Sequence, residues 1–209
     1  MILGPGLISN CPSCHAAFLQ QDLISGNTIN GMYFSDGKNH FPMLPDLPKF
    51  VRCEACQAFF WLKDVLSEEL PRSYGPDEIP PGEDIPYARW PSAEDLAEAI
   101  RLEYFRDIEE EEYLRMHLWW DMNNKFRGGR RGEPADASLY EINLRELIRI
   151  KLAARPVNSL LLAEMHRELG DFEKAMEYLQ QVKEAGLQKI VAQVREKILQ
   201  KDRLVFMLN

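Results

Sequence analysis

Two Cys-x-x-Cys pairs constrain this chain more than any other feature. They are Cys11-Pro12-Ser13-Cys14 and Cys53-Glu54-Ala55-Cys56, and they use all four cysteines of its 209 residues. Two residues of spacing in a tight turn aim both thiolates the same way, and two such turns supply the four donors of one tetrahedral zinc site. Cys11, Cys14, Cys53 and Cys56 are therefore the expected ligands of one structural Zn2+. Four sulfurs fill the coordination shell, which leaves no position for water or substrate. In a segment with so small a core, the ion contributes much of the folding free energy. Residues 1–10 show neither the basic start nor the sustained apolar run of a secretory signal, so reduced thiols and a cytoplasmic location are expected. Two disulfides are the alternative for an exported chain. Cys11-x-x-Cys14-His15 also fits the haem-attachment pattern, a reading that leaves the second pair unexplained.

The rest of the chain reads as a β-rich front and a helical back. Ala16 to Leu19, Gly31 to Phe34, Lys49 to Arg52 and Ala58 to Leu62 read as short strands, with Asp36-Gly37 as a hairpin turn. Six of the thirteen prolines fall between Pro71 and Pro91, which predicts a linker or a strap anchored by Tyr74, Ile79, Ile85, Tyr87 and Trp90. Ser92 caps a helix whose apolar face is Leu96, Ile100, Tyr104 and Ile108. Further helices are expected over about 113–126, between Ser138 and Ala154, from Asn158 to Leu169, from Asp171 with a left-handed stop at Gly186, and along Leu187, Ile190, Val194 and Ile198. The fold class is thus mostly α with a small β-rich N-terminal zinc domain, α+β in two domains, ending in an antiparallel helical array. The expected boundaries are 1–70 for the zinc domain, 71–91 for the linker or strap and 92–209 for the helical domain.

Three resemblances add to this. The knuckles at Cys11, Cys14, Cys53 and Cys56, with Phe50-Val51-Arg52 ahead of the second, resemble those of zinc-ribbon or rubredoxin-like domains. The spacer of 38 residues between Cys14 and Cys53 is longer than in compact ribbons. His15 and Gln57 stand where such knuckles usually carry glycine. Ser25-Gly26-Asn27-Thr28, Ser35-Asp36-Gly37-Lys38 and Pro42-Met43-Leu44-Pro45 resemble a group of uncharacterised bacterial proteins, which implies a bacterial origin and no activity. Leu162-Ala163, Leu169-Gly170-Asp171-Phe172 and Ala175, with Tyr178-Leu179, resemble one tetratricopeptide-like helical hairpin over 159–187. That likeness implies a protein-binding surface, for which His166, Glu173 and Tyr178 are the candidate residues. An ordinary helix pair is the plain alternative.

Charge separates the remaining function classes. Net charge is −8 overall, and residues 1–62 hold only Lys38, Lys49 and Arg52 against four acidic side chains. Nucleic-acid binding through the ribbon lacks the positive field it needs. Residues 109–112 read as a solvated acidic face, and Arg127 to Arg131 as an isolated basic loop. Of Trp119 and Trp120, one ring is expected in the core and one at a rim, because adjacent helical residues face apart. The four histidines, His15, His40, His117 and His166, form no catalytic or ligating pattern, and no nucleophile elbow or phosphate loop occurs. The expected function is a non-enzymatic zinc-binding adaptor or scaffold for a protein partner. A nucleic-acid-associated ribbon and an enzyme with an inter-domain site are the alternatives.

Overall fold

Each Cys-x-x-Cys turn lies at the tip of an antiparallel hairpin in the computed structural model, which describes residues 1–69, 85–128, 132 and 137–209. Strand β1 (Ile2–Leu3) pairs with β4 (Leu23–Ser25). Strand β2 (Leu7–Asn10) lies between β3 (Ala17–Gln20) and β9 (Ser67–Glu69), and the Asn10–Ala17 pairing closes the first knuckle. Hairpin β5 (Met32–Tyr33) and β6 (Asn39–His40) turns at Gly37, whose φ of 80° is open to glycine without steric cost. Strands β7 (Phe50–Arg52) and β8 (Phe59–Trp61) pair with Arg52 opposite Phe59, closing the second knuckle.

Six α-helices follow among the described residues: α1 (Ala93–Arg101), α2 (Ile108–Asn124), α3 (Ala137–Ala153), α4 (Ser159–Leu169), α5 (Phe172–Leu179) and α6 (Gln188–Leu199). The molecule is thus an α+β protein with its strands concentrated in the N-terminal region.

The chain forms two compact units, one of Met1–Gly31 with Phe41–Tyr104, the other of Met32–His40 with Phe105–Asn209. Two segments fall elsewhere than cuts at 70 and 92 would put them. Helix α1 belongs to the N-terminal unit, because Asp95 takes Arg52 of β7 at 2.6 Å and Leu96 and Ala99 are buried. Hairpin β5–β6 belongs to the helical unit, because Asp36 at its turn is fully buried against Arg127 and Asn123. The long spacer between the knuckles therefore carries a piece of the other unit.

The N-terminal core is aromatic. Phe18 meets Phe60 with ring centroids 5.5 Å apart, and Phe50 stacks on Phe59 at 5.6 Å and meets Trp61 at a tilt, with centroids 5.0 Å apart. Residues 85–88 lie along this unit, held by Ile85 and by backbone bonds, whereas the expected anchors Tyr87 and Trp90 are exposed. Ile85 is buried, and Leu19 N–H donates to Pro86 O (2.9 Å) while Ala88 N–H donates to Leu19 O (2.7 Å). Tyr74, Ile79 and the rest of 70–84 lie outside the described residues.

In the helical unit, Met116 and Trp119 of α2, Tyr140, Leu144 and Leu147 of α3 and Met165 of α4 form one core. Ala163 of α4, Ala175 and Leu179 of α5 and Val191, Val194 and Ile198 of α6 form another. Helix α4 serves both, so it is buried almost all round. The tail closes over the inserted hairpin: Ser35 N–H donates to Phe206 O (2.9 Å) and Leu208 N–H to Tyr33 O (2.8 Å).

Helix ends correct three sequence expectations. Helix α1 stops at Arg101 and Glu103 has a φ of 57°, so Tyr104 and Ile108 do not continue its face. Residues 109–112 are not a solvated run. Asp107 caps α2 by accepting from Glu109 N–H and Glu110 N–H, which puts the acidic residues in a first turn where the helix dipole favours them. Glu110 and Glu111 are then buried by Arg106 (2.5 Å) and Arg115 (2.8 Å). Gly186 is not a left-handed stop: α5 ends at Leu179, and Gly186 lies in a 3-10 turn, Ala185–Leu187, without positive φ. Gly170 is the left-handed cap, at φ 83°, with Asp171 capping α5 just beyond it.

Candidate metal centre

The two knuckles are built alike. His15 N–H returns to Cys11 O and Gln57 N–H to Cys53 O, each at 2.9 Å. Cys11 N–H reaches Ala16 O and Cys53 N–H reaches Ala58 O, also at 2.9 Å. These bonds force the residue after the second cysteine into the left-handed region, with His15 at φ 61° and Gln57 at φ 62°. This is the conformation for which glycine is suited, and an L-residue there costs about 1–2 kcal/mol. The departure noted in the sequence is therefore one of residue type and not of geometry.

The four sulfurs converge on one point. Cys11 Sγ lies 3.7 Å from Cys56 Sγ, Cys14 Sγ lies 3.7 Å from Cys53 Sγ, and all four lie within 4.8 Å of one another. Disulfide sulfurs stand about 2.05 Å apart, so these are not bonded pairs. A tetrahedral site with metal–sulfur bonds of about 2.3 Å has sulfur–sulfur edges of about 3.8 Å. The cluster therefore fits a single metal ion, with the cysteines of both knuckles interleaved around it. Cys11 and Cys53 are buried, while Cys14 and Cys56 face solvent.

Electrostatics divides the thiols. Burial opposes ionisation of Cys11, but the Cys14 and Ser13 amides and the neighbouring thiols outweigh it and bring Cys11 down to about 7. Burial pushes the Cys53 thiol up. The Cys56 thiol is also raised: the Ala58 amide favours its thiolate, but contact with Cys14 and partial burial act the other way. Four thiolates this close repel one another, and a divalent cation removes that penalty. No histidine enters the cluster among the described residues. His15 and His40 are exposed.

Beside the knuckles lies a cleft of about 310 Å³ with an apolar floor of Ala17, Phe18, Val51 and Phe60 and a rim that includes Arg52 and Glu54. Arg52, the basic residue nearest the second knuckle in sequence, is occupied by Asp95 (2.6 Å) and Glu98 (3.2 Å).

The other candidate positions lie on the α4–α5 hairpin. Glu173 is exposed and Tyr178 half-buried. His166 is buried, its ring stacked on Tyr178 with centroids 5.3 Å apart and Nδ1 3.5 Å from Asp171 Oδ2. Burial lowers the His166 pKa. His117 packs between Tyr113 (4.2 Å) and Trp120 (4.9 Å). Trp119 is fully buried, whereas Trp120 lies nearer the surface and donates to Asp36 O (3.0 Å). Arg127 of the basic loop is a partner of Asp36, and residues 129–131 lie outside the described residues.

Sequence reasoning missed a buried polar network in the helical unit that joins Asp36, Asn123, Tyr140, Glu164, Arg167 and Glu168. The only signal was the spacing of Glu164, Arg167 and Glu168 along α4, which looks like a solvent-facing stripe until α4 is known to be packed on several sides.

Comparison with protein-family models, with curated proteins and with solved structures finds no match. No helix among the described residues is long and apolar enough to cross a membrane.

Proposed function

We propose that this chain is a non-enzymatic adaptor whose N-terminal unit is held by a structural Zn2+ and whose helical unit binds a protein partner. The convergence of four sulfurs on one point carries the reading. A metal so enclosed has no open position for water or substrate, so it serves as a rivet. Tetrahedral four-sulfur sites also accept iron. The proposed ion is zinc, and the absence of thiolate–iron colour in pure protein tests it.

The partner surface is assigned to the tetratricopeptide-like hairpin of α4 and α5. Ala163 and Ala175 are fully buried, and small residues at such positions let two helices approach closely. Glu173 and Tyr178 then lie on the accessible side, and His166 stacks on the Tyr178 ring. Nucleic-acid binding is not favoured, because Arg52 is already neutralised by Asp95 and Glu98.

The test is co-purification of the metal-loaded chain with a stoichiometric protein. Retention should be lost in Glu173→Lys/Tyr178→Ala while metal content stays unchanged. A chain that purifies alone, or a partner held equally by the variant, refutes the assignment.

A further inference from the structure

The metal centre has an open side and a closed side. Cys14 and Cys56, the second cysteine of each knuckle, are exposed, whereas Cys11 and Cys53 are buried. The two buried sulfurs belong to one apolar cluster with Phe18, Val51 and Phe60. A small oxidant in water therefore reaches Cys14 and Cys56 first. Oxidation follows thiolate character together with exposure, and a metal-held thiolate that faces solvent has both.

Each exposed sulfur has a partner to resolve it. Cys56 Sγ touches Cys11 Sγ and Cys14 Sγ touches Cys53 Sγ, both at 3.7 Å and both in the geometry of a thiol hydrogen bond. Each contact crosses from one knuckle to the other and joins one exposed sulfur to one buried sulfur. Closing it to a disulfide of about 2.05 Å brings the sulfurs together by less than about 2 Å. A bond between Cys14 and Cys56 would instead strand Cys11 and Cys53 on the closed side. Bonds within the knuckles would leave the two hairpins untied once the ion is gone. The crossing pairs span the same gap as the ion, so β2–β3 and β7–β8 stay joined, with Phe18 against Phe60.

We propose that this centre is a peroxide-responsive switch, which hydrogen peroxide opens by forming the Cys11–Cys56 and Cys14–Cys53 disulfides and expelling the ion. The inference rests on the structural-zinc reading above and adds the regulation of that site. Peroxide oxidises an exposed thiolate, Cys14 or Cys56, to a sulfenic acid. Its O–O bond breaks, and one oxygen leaves as hydroxide. The buried thiolate opposite attacks the oxidised sulfur. The S–S bond forms as the S–O bond breaks, and a second hydroxide leaves. A second peroxide closes the other pair in the same way. Four thiolates have then lost four electrons to two peroxides, and the four hydroxides take up protons to become water. Zn2+ leaves because no thiolate remains to hold it.

The experiment uses the full-length chain as isolated, with its zinc quantified first. Hydrogen peroxide is added in excess with a chromophoric zinc indicator present, and the products are mapped by mass spectrometry. Release of one zinc per chain is expected, with the cysteine peptides together lighter by four hydrogens. Trypsin without reductant should leave the peptide Met1–Lys38 linked to Cys53–Lys63, and fragmentation of the linked species should assign Cys11–Cys56 and Cys14–Cys53. Dithiothreitol with added Zn2+ should restore the loaded chain. A chain isolated without metal overturns the zinc reading and the switch together. A loaded chain overturns the switch alone if it keeps its ion until sulfinic or sulfonic acids form, if its disulfides lie within the knuckles or in any other pairing, or if zinc does not return after reduction.

Discussion

Arg167 offers the sharpest perturbation of the helical unit. Its guanidinium is fully buried, and it donates to Glu164 through Nε at 2.8 Å and NH2 at 2.5 Å. It also donates to the Leu204 carbonyl at 3.0 Å and to the Asp202 carbonyl, which pins the C-terminal tail onto α4. The paired carboxylates hold Arg167 charged, its pKa raised above the ordinary guanidinium range despite burial. Arg167→Met keeps much of the volume and removes the charge. It leaves Glu164 as a buried carboxylate without a partner, which costs about 3–5 kcal/mol. The two tail carbonyls lose their donor and add about 1–3 kcal/mol each, unless the tail lifts and water reaches them.

Adding Glu164→Leu removes the stranded charge. The double variant should therefore recover about 3–5 kcal/mol and keep only the cost of the loosened tail. Urea unfolding followed by helical circular dichroism measures all three chains, and amide exchange at Phe206 and Leu208 reports the tail. If Arg167→Met alone fails to fold, a folded double variant is itself the recovery. A single variant that loses less than about 1 kcal/mol, or a double variant no more stable than the single, contradicts the buried-pair argument.

Further outcomes are expected elsewhere. His15→Gly should stabilise the N-terminal unit by about 0.5–1 kcal/mol, because relief of the left-handed strain exceeds the extra chain entropy of glycine. Gln57→Gly should gain less, since it also loses the side-chain bond to Glu54 O at 2.9 Å; thermal melts of the metal-loaded chain compare the two. Ala175→Glu places a charge at a fully buried site against α4 and should destabilise the helical unit by about 3–5 kcal/mol, and an unchanged melting temperature means that no packed crossing exists there. Cys53→Ser should abolish metal binding and unfold the N-terminal unit while most helical signal survives, whereas loss of the whole signal would reveal one cooperative unit. Glu168 has a folded-state value of about 8 against 4.5 for a free glutamate, so the native state holds the extra proton between those values. Stability from this group is full below about 4.5 and falls as pH rises toward 8, by up to about 1.4 kcal/mol per pH unit. The urea midpoints of wild type and Glu168→Gln should converge or cross accordingly as pH rises.

What the sequence disclosed followed from local rules. The Cys-x-x-Cys spacing is enforced by backbone bonds within six residues, so both knuckles and the strands β3, β7 and β8 beside them were legible, whereas β2, ahead of the first knuckle, was not read. Asn158, Gly170 and Asp171 act on the turn next to them, which made α4 and the start of α5 readable to the residue, while the end of α5 was placed too late. What stayed hidden depends on long-range partners. Glu110 and Glu111 look solvated until Arg106, Arg115 and Arg149 close on them. Asp36 reads as an ordinary hairpin-turn residue, and only Arg127, 91 positions away, turns it into the anchor that draws residues 32–40 into the helical unit. Glu168 is silent for the same reason, since its partners come from α2 and α3. The α1 face was over-extended because four-residue periodicity persists through Tyr104 and Ile108 while the backbone breaks at Glu103.

X-ray absorption at the metal edge, on freshly isolated full-length protein with the metal quantified, tests the central claim most directly. One zinc per chain with four sulfur neighbours at about 2.3 Å is the expected spectrum. A metal-free chain, or a shell of nitrogen and oxygen donors around the ion, contradicts it.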